Sequence, residues 1–267
     1  MRHIQTNGLN VFLETTGDGH PLLFLGGTGW DLRRTRLPLE PPLSDHFTVA
    51  LFDQRGQGRT SKPPGPYTML DYAEDAVGVL DALGWKRVHI VGYSFGGMVA
   101  QELAIRWPER VGCLVLAATT SGGAAGASYP IHEFLELSSE ERALRSLEIA
   151  DTRFHAFQES RPDVAEAKVK DRQRNQGRFL DEPGARDGLR SQLAARAAHN
   201  TFERLKMIEA PTLVVAGSFD GQAPAEAVKR MSSKLPRSKF RVVPGPHDFI
   251  AECPEFLEMI VSFLRDE

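Results

Sequence analysis

Ser94 stands in the stretch "VGYSFGGM", with Gly92 two residues before it and Gly96 two residues after it. A serine framed at that spacing, where a strand gives way to a helix, matches a G-x-S-x-G elbow that holds the hydroxyl out at the end of a sheet. Side chains at the framing positions would collide with so sharp a turn, and Gly97 adds room for the helix to approach the sheet. A serine hydroxyl is a weak nucleophile and needs a base that is itself oriented by an acid. In this arrangement the partners follow in the order Ser, then Asp or Glu, then His. Asp220 in "VVAGSFDGQAP" and His247 in "RVVPGPHDF" each come just after a strand-like run in that order. Of the eight histidines only His247 has this context. His132, His155 and His199 fall in a helical stretch where they could at most line a pocket, and Asp248 reads as a surface charge. The chemistry implied is acyl transfer to Ser94, with His247 as base and Asp220 as the orienting acid. It also needs amide donors for an oxyanion. Phe95, directly after the serine, supplies one. The turn "FLGGTGWD" supplies the other, with Thr28 the first choice and Gly27 the second.

These residues require a sheet whose strands end at one edge. "NVFLETT", "PLLFLGG", "FTVALFD", "RVHIVG", "VGCLVLAAT", "PTLVVAG" and "KFRVVPG" are strand-like runs. Helical periodicity separates several of them. "TMLDYAEDAVGVLDALG" opens on a Thr68–Asp71 capping box and stops at Gly84. Buried strands alternating with helices predict an α/β fold with a mostly parallel sheet covered on both faces. Residues 121–206 lack any strand-like run and contain helix-like stretches broken at "ESRPD" and "LDEPGARDG". So long a segment is not a plain loop. The expected organisation is a core domain of residues 1–120 and 207–267 carrying a helical cap, 121–206. Within the cap, Lys168, Lys170, Arg172, Arg174 and Arg178 read as a solvated helix face.

Composition narrows the partners. Of 267 residues, 41% are hydrophobic and 25% charged, and the net charge of −3 leaves no basic footprint for nucleic acid. The start of the chain lacks the apolar core of a signal peptide, and no run is long enough to cross a membrane. The expectation is a cytoplasmic protein acting on a small molecule. Cys113 and Cys253, the two cysteines, form no C-x-x-C pair. There is no H-E-x-x-H and no P-loop, so no metal and no organic cofactor are expected. A dinucleotide-binding reading of the glycines fails: "GYSFGG" is not G-x-G-x-x-G, and the acidic residue expected about 20 positions on is missing.

Together the elbow "GYSFGG", the loop "DQRGQGRTSKP", the "GSFD" turn and the "GPHD" turn resemble the α/β-hydrolase family over nearly the whole chain. The loop is similar to the family's D-x-R-G-x-G-x-S, with Thr60 in the serine's place, and implies structural roles for Asp53 and Arg55. Where the family often has His-Gly at the oxyanion turn, this chain has Gly26-Gly27. The serine nucleophile argues against the haloalkane dehalogenase and epoxide hydrolase branches, which use Asp. "PPGPYTMLDYAEDAVGVLDALG" with "GYSFGGMVAQELAIRWPERV" resembles the 3-oxoadipate enol-lactonase and small-esterase branch. The resemblance implies hydrolysis of a small carboxylic ester or lactone without a cofactor. A cofactor-free haloperoxidase or perhydrolase, or a carbon–carbon hydrolase, would use the same triad. A receptor-like protein could also keep it.

Overall fold

Apolar runs bounded by glycine and proline become the buried strands of one eight-stranded sheet in the computed structural model. The structure describes all residues except Ala124, Ala125 and Ala127, which fall inside the expected cap. In chain order the core elements are β1 (Arg2–Thr6), β2 (Leu9–Thr16), β3 (His20–Leu25), α1 (Leu43–His46), β4 (Phe47–Phe52), α2 (Met69–Leu83), β5 (Val88–Tyr93), α3 (Phe95–Arg106) and β6 (Val111–Ala117). Helices α4 (Ser139–Ala150), α5 (Phe154–Ser160), α6 (Pro162–Gly177) and α7 (Ala185–Ala197) follow. The core resumes with β7 (Thr212–Gly217), α8 (Ala225–Ser232), β8 (Ser238–Val243), α9 (Phe249–Glu252) and α10 (Pro254–Asp266).

The strand order is β1-β2-β4-β3-β5-β6-β7-β8. β1 and β2 pair antiparallel with each other, and β2 pairs antiparallel with β4. All pairings from β4 onward are parallel. Every parallel strand therefore ends at the same edge, and the loops after β3, β5, β7 and β8 meet there. Apolar layers cover both faces. On one, Phe95 packs edge-on against Tyr72 with ring centroids 4.9 Å apart. On the other, Phe249 packs edge-on against Phe256 at 4.9 Å. Helix α2 begins with the reciprocal Thr68–Asp71 box and ends with Gly84 in the left-handed conformation.

Backbone and side-chain bonds tie the two ends of the helical insertion together. Gly122 and Asn200 form an antiparallel bridge, and the Thr201 amide donates to the Ser121 carbonyl at 2.8 Å. The Thr201 hydroxyl reaches Gln101 of α3 at 2.5 Å, and Arg204 pairs with the buried Glu102. Burial alone would raise the Glu102 carboxyl, but Arg204 and Arg106 outweigh it and hold it below the usual range.

Candidate active site

Ser94 is the residue between β5 and α3, and its backbone sits at φ 54°, ψ −117°. A non-glycine residue held in such a sparsely populated region costs about 1–3 kcal/mol and persists only where its surroundings over-determine it. Two bonds do so here: the Ser94 amide donates to Ala117 O at 2.8 Å, and its carbonyl accepts from the Gly97 amide at 2.9 Å. The framing glycines are needed for close approach. A Cβ on Gly92 would lie 2.6 Å from Gly96 O, and one on Gly96 would lie 2.0 Å from Leu25 O.

The strand ends bring Ser94, His247 and Asp220 into one hydrogen-bonded chain. Ser94 Oγ lies 2.9 Å from His247 Nε2, and His247 Nδ1 donates to Asp220 Oδ2 at 2.8 Å. All three are buried. The other Asp220 oxygen accepts from the amides of Gln222 and Ala223, each at 2.8 Å, so its carboxylate cannot swing away from the imidazole. Tyr93 fixes the histidine loop from below. Its hydroxyl donates to His247 O at 2.5 Å and accepts from the Ile250 amide at 3.3 Å. Burial pushes the Tyr93 phenol well above its ordinary value, so it stays protonated as a donor.

Phe95 is the first helical residue of α3, where an amide has no intrahelical acceptor and faces the elbow. At the turn after β3, the amides of Gly29 and Trp30 are used by Gln192 Oε1 (2.8 Å) and Gly27 O (3.2 Å). The Thr28 amide has no protein acceptor among the described residues. Gly27 lies beside Ser94: a Cβ there would stand 3.9 Å from Ser94 Oγ. The Gly26-Gly27 departure from His-Gly has a steric cause. A Cβ on Gly26 would lie 2.5 Å from the Trp30 indole, which packs over that position.

The loop after β4 secures this edge without entering the cavity. Buried Asp53 accepts from the amides of Leu32 (2.7 Å) and Arg59 (2.9 Å), and burial raises its carboxyl to about 6. Arg55 forms a bidentate pair with buried Asp75 at 2.6 and 2.7 Å. Thr60 accepts from the Phe12 amide at 2.9 Å, tying the loop to β2.

A cavity of about 260 Å³ opens onto Ser94 and His247, walled by Thr28, Trp30, Phe134, Leu189 and Leu193. Two expectations need correction here. Arg172 does not share the solvated face of its neighbours. It reaches the cavity wall and bonds Asp248 at 2.9 Å, because α6 docks against the histidine loop. Asp248 is accordingly no free surface charge but part of that wall. Partial burial would raise its carboxyl, and Arg172 outweighs this and holds it below the usual range. His132, His155 and His199 are not among the lining residues. Among the lining residues that no motif announces is Gln222, whose side-chain Nε2 lies 2.7 Å from His247 Nε2.

Residues 22–253 match the sequence profile described as alpha/beta hydrolase fold. The chain belongs to the alpha/beta hydrolase fold family. It is 30% identical over 239 residues to a Caulobacter segnis protein provisionally named carbamate hydrolase RutD, covering 85% of each chain. It is 28% identical over 253 residues to a poly(3-hydroxyalkanoate) depolymerase of Ectopseudomonas oleovorans, covering 92% of this chain and 85% of that one. The crystal structure of the enol-lactonase from Burkholderia xenovorans LB400 superimposes with a TM-score of 0.80 at 22% identity, covering 98% of this chain and 99% of that one. This last likeness is one of fold. Among the described residues, no helix is long and apolar enough to cross a membrane.

Proposed function

We propose that this hydrolase-fold protein cleaves a small carboxylic ester or lactone through an acyl-enzyme on Ser94. The observation that supports this reading is the continuous chain Ser94 Oγ–His247–Asp220, with links of 2.9 and 2.8 Å, at a strained elbow. His247 takes the Ser94 proton as the oxygen attacks the carbonyl carbon, and returns it to the leaving oxygen. Asp220 holds the imidazole in the tautomer that presents the Nε2 lone pair. The amides of Phe95 and Thr28 receive the oxyanion, and helix α3 adds the positive end of its dipole beside it. Residues 121–206 act as a cap that walls the cavity and excludes water during attack, resting on a core of 1–120 and 207–267. No cofactor enters the scheme, and the protein acts in the cytoplasm.

A panel of p-nitrophenyl esters of increasing acyl length, simple lactones, a carbamate and a vinylogous diketone tests the reading. Turnover of esters or lactones supports it. Turnover of the diketone alone would assign carbon–carbon cleavage to the same triad. Arg142 and Arg172 at the cavity wall make acyl groups bearing a carboxylate worth including in the panel.

A further inference from the structure

When His247 Nδ1–H donates its hydrogen bond to Asp220, Nε2 keeps one in-plane lone pair. Two donors reach it: the Ser94 hydroxyl at 2.9 Å and the Gln222 carboxamide at 2.7 Å. Gln222 is held from both sides. Its backbone amide donates to Asp220 Oδ1, and its backbone carbonyl accepts from the Tyr129 amide at 2.8 Å. Buried Arg196 of α7 in turn donates to Tyr129 O at 2.9 Å. The acid turn and the helical insertion thus fix the backbone from which this side chain reaches the base.

We propose that Gln222 positions the water that hydrolyses the acyl-enzyme, an inference that rests on the serine-hydrolase reading above. Once Ser94 Oγ is acylated it has no proton to offer. Among the described residues, Gln222 is then the remaining side chain bonded at Nε2. An attacking water must give one hydrogen to Nε2, and an ordered water needs at least two polar partners. The cavity wall also carries Arg142, Ser146 and Gln176, but none of these is bonded to Nε2 among the described residues. Displaced from Nε2 by the water, the Gln222 carboxamide presents Oε1 to accept the second hydrogen. The water oxygen then bonds the ester carbonyl carbon while its first proton passes to Nε2. The tetrahedral intermediate collapses by breaking the carbon–Oγ bond. The proton moves from Nε2 to Ser94 Oγ, and the carboxylic acid leaves.

The role predicts a preference that packing alone would not create. Methanol has a single hydroxyl hydrogen and cannot use both partners. Wild type and Gln222→Met are compared with p-nitrophenyl acetate, with and without added methanol, by stopped-flow and product analysis. The expected result is an acylation burst within about twofold of wild type and deacylation slower by about tenfold, the scale of one hydrogen bond. The ratio of methyl acetate to acetate should rise several-fold in the variant. Deacylation at or above the wild-type rate overturns the proposal. So does an equal fall of both steps with an unchanged product ratio, which would mark a structural residue. Failure of a fluorophosphonate to label Ser94 in the wild type would instead overturn the serine-hydrolase reading itself, and the role of Gln222 with it.

Discussion

The backbone amide of His247 donates to the carbonyl oxygen of Ala150 at 2.7 Å, so the last residue of α4 holds the loop of the candidate base. The preceding carbonyl, Ile149 O, accepts from the Gly221 amide at 3.0 Å, beside the candidate acid. The Thr152 amide donates to Phe219 O at 2.9 Å. The end of one inserted helix therefore buttresses the loops of both the candidate base and the candidate acid. Amides that share a cooperative unit exchange together. In native-state hydrogen exchange the His247 and Gly221 amides should exchange at the rate of the α4 amides. Exchange of these two at the rate of exposed loop amides would show that the seam carries no constraint.

The two carboxylates beside His247 should differ sharply. Asp220→Asn removes the acceptor at Nδ1 and should lower kcat by roughly 10³–10⁴-fold. Asp248→Asn frees Arg172 at the cavity wall, a half-exposed pair of small energetic weight. It should leave kcat within about tenfold and act mainly on KM. Steady-state kinetics of the two variants decide the matter, and the reverse ranking would transfer the acid's role to Asp248.

Much of this arrangement is legible in the primary structure because backbone geometry restricts residue choice. Gly92 and Gly96 are where any Cβ would strike backbone, and Asp220 and His247 follow strands whose apolar runs announce their ends. The Thr68–Asp71 box is a local signal of the same kind. Gln222, Tyr93 and Arg172 are different. A glutamine in a turn has no periodicity, and an aromatic residue at a strand end reads as core. An arginine on a charged helix reads as solvated until the docking of α6 brings it to Asp248. The seam between Ala150 and His247 is a contact of backbone atoms far apart in the chain, which side-chain patterns do not encode. Strand β1 is only five residues long and largely exposed, so its alternation is a weak signal.

His199 should make the fold acid-sensitive. Burial lowers its imidazole to about 4, and its Nδ1 is buried with no partner among the described residues. The unfolded value lies near ~6.5, so the unfolded chain binds more protons between the two values. This contribution to stability is present above ~6.5 and is lost as pH falls toward the folded value. The loss approaches about 3 kcal/mol. Urea unfolding of wild type and His199→Asn near neutral pH and again about two units lower should show the smaller loss in the variant. Equal losses would remove His199 from the acid response.

The most direct test of the nucleophile is fluorophosphonate labelling followed by peptide mapping, run beside ester turnover, on wild type and Ser94→Ala. The account predicts a single adduct on Ser94, absent from the variant, and a fall in kcat of roughly 10⁴-fold or more, because the three residues act as a unit. An adduct on another residue, or a Ser94→Ala enzyme that keeps a tenth of the wild-type rate, would contradict it.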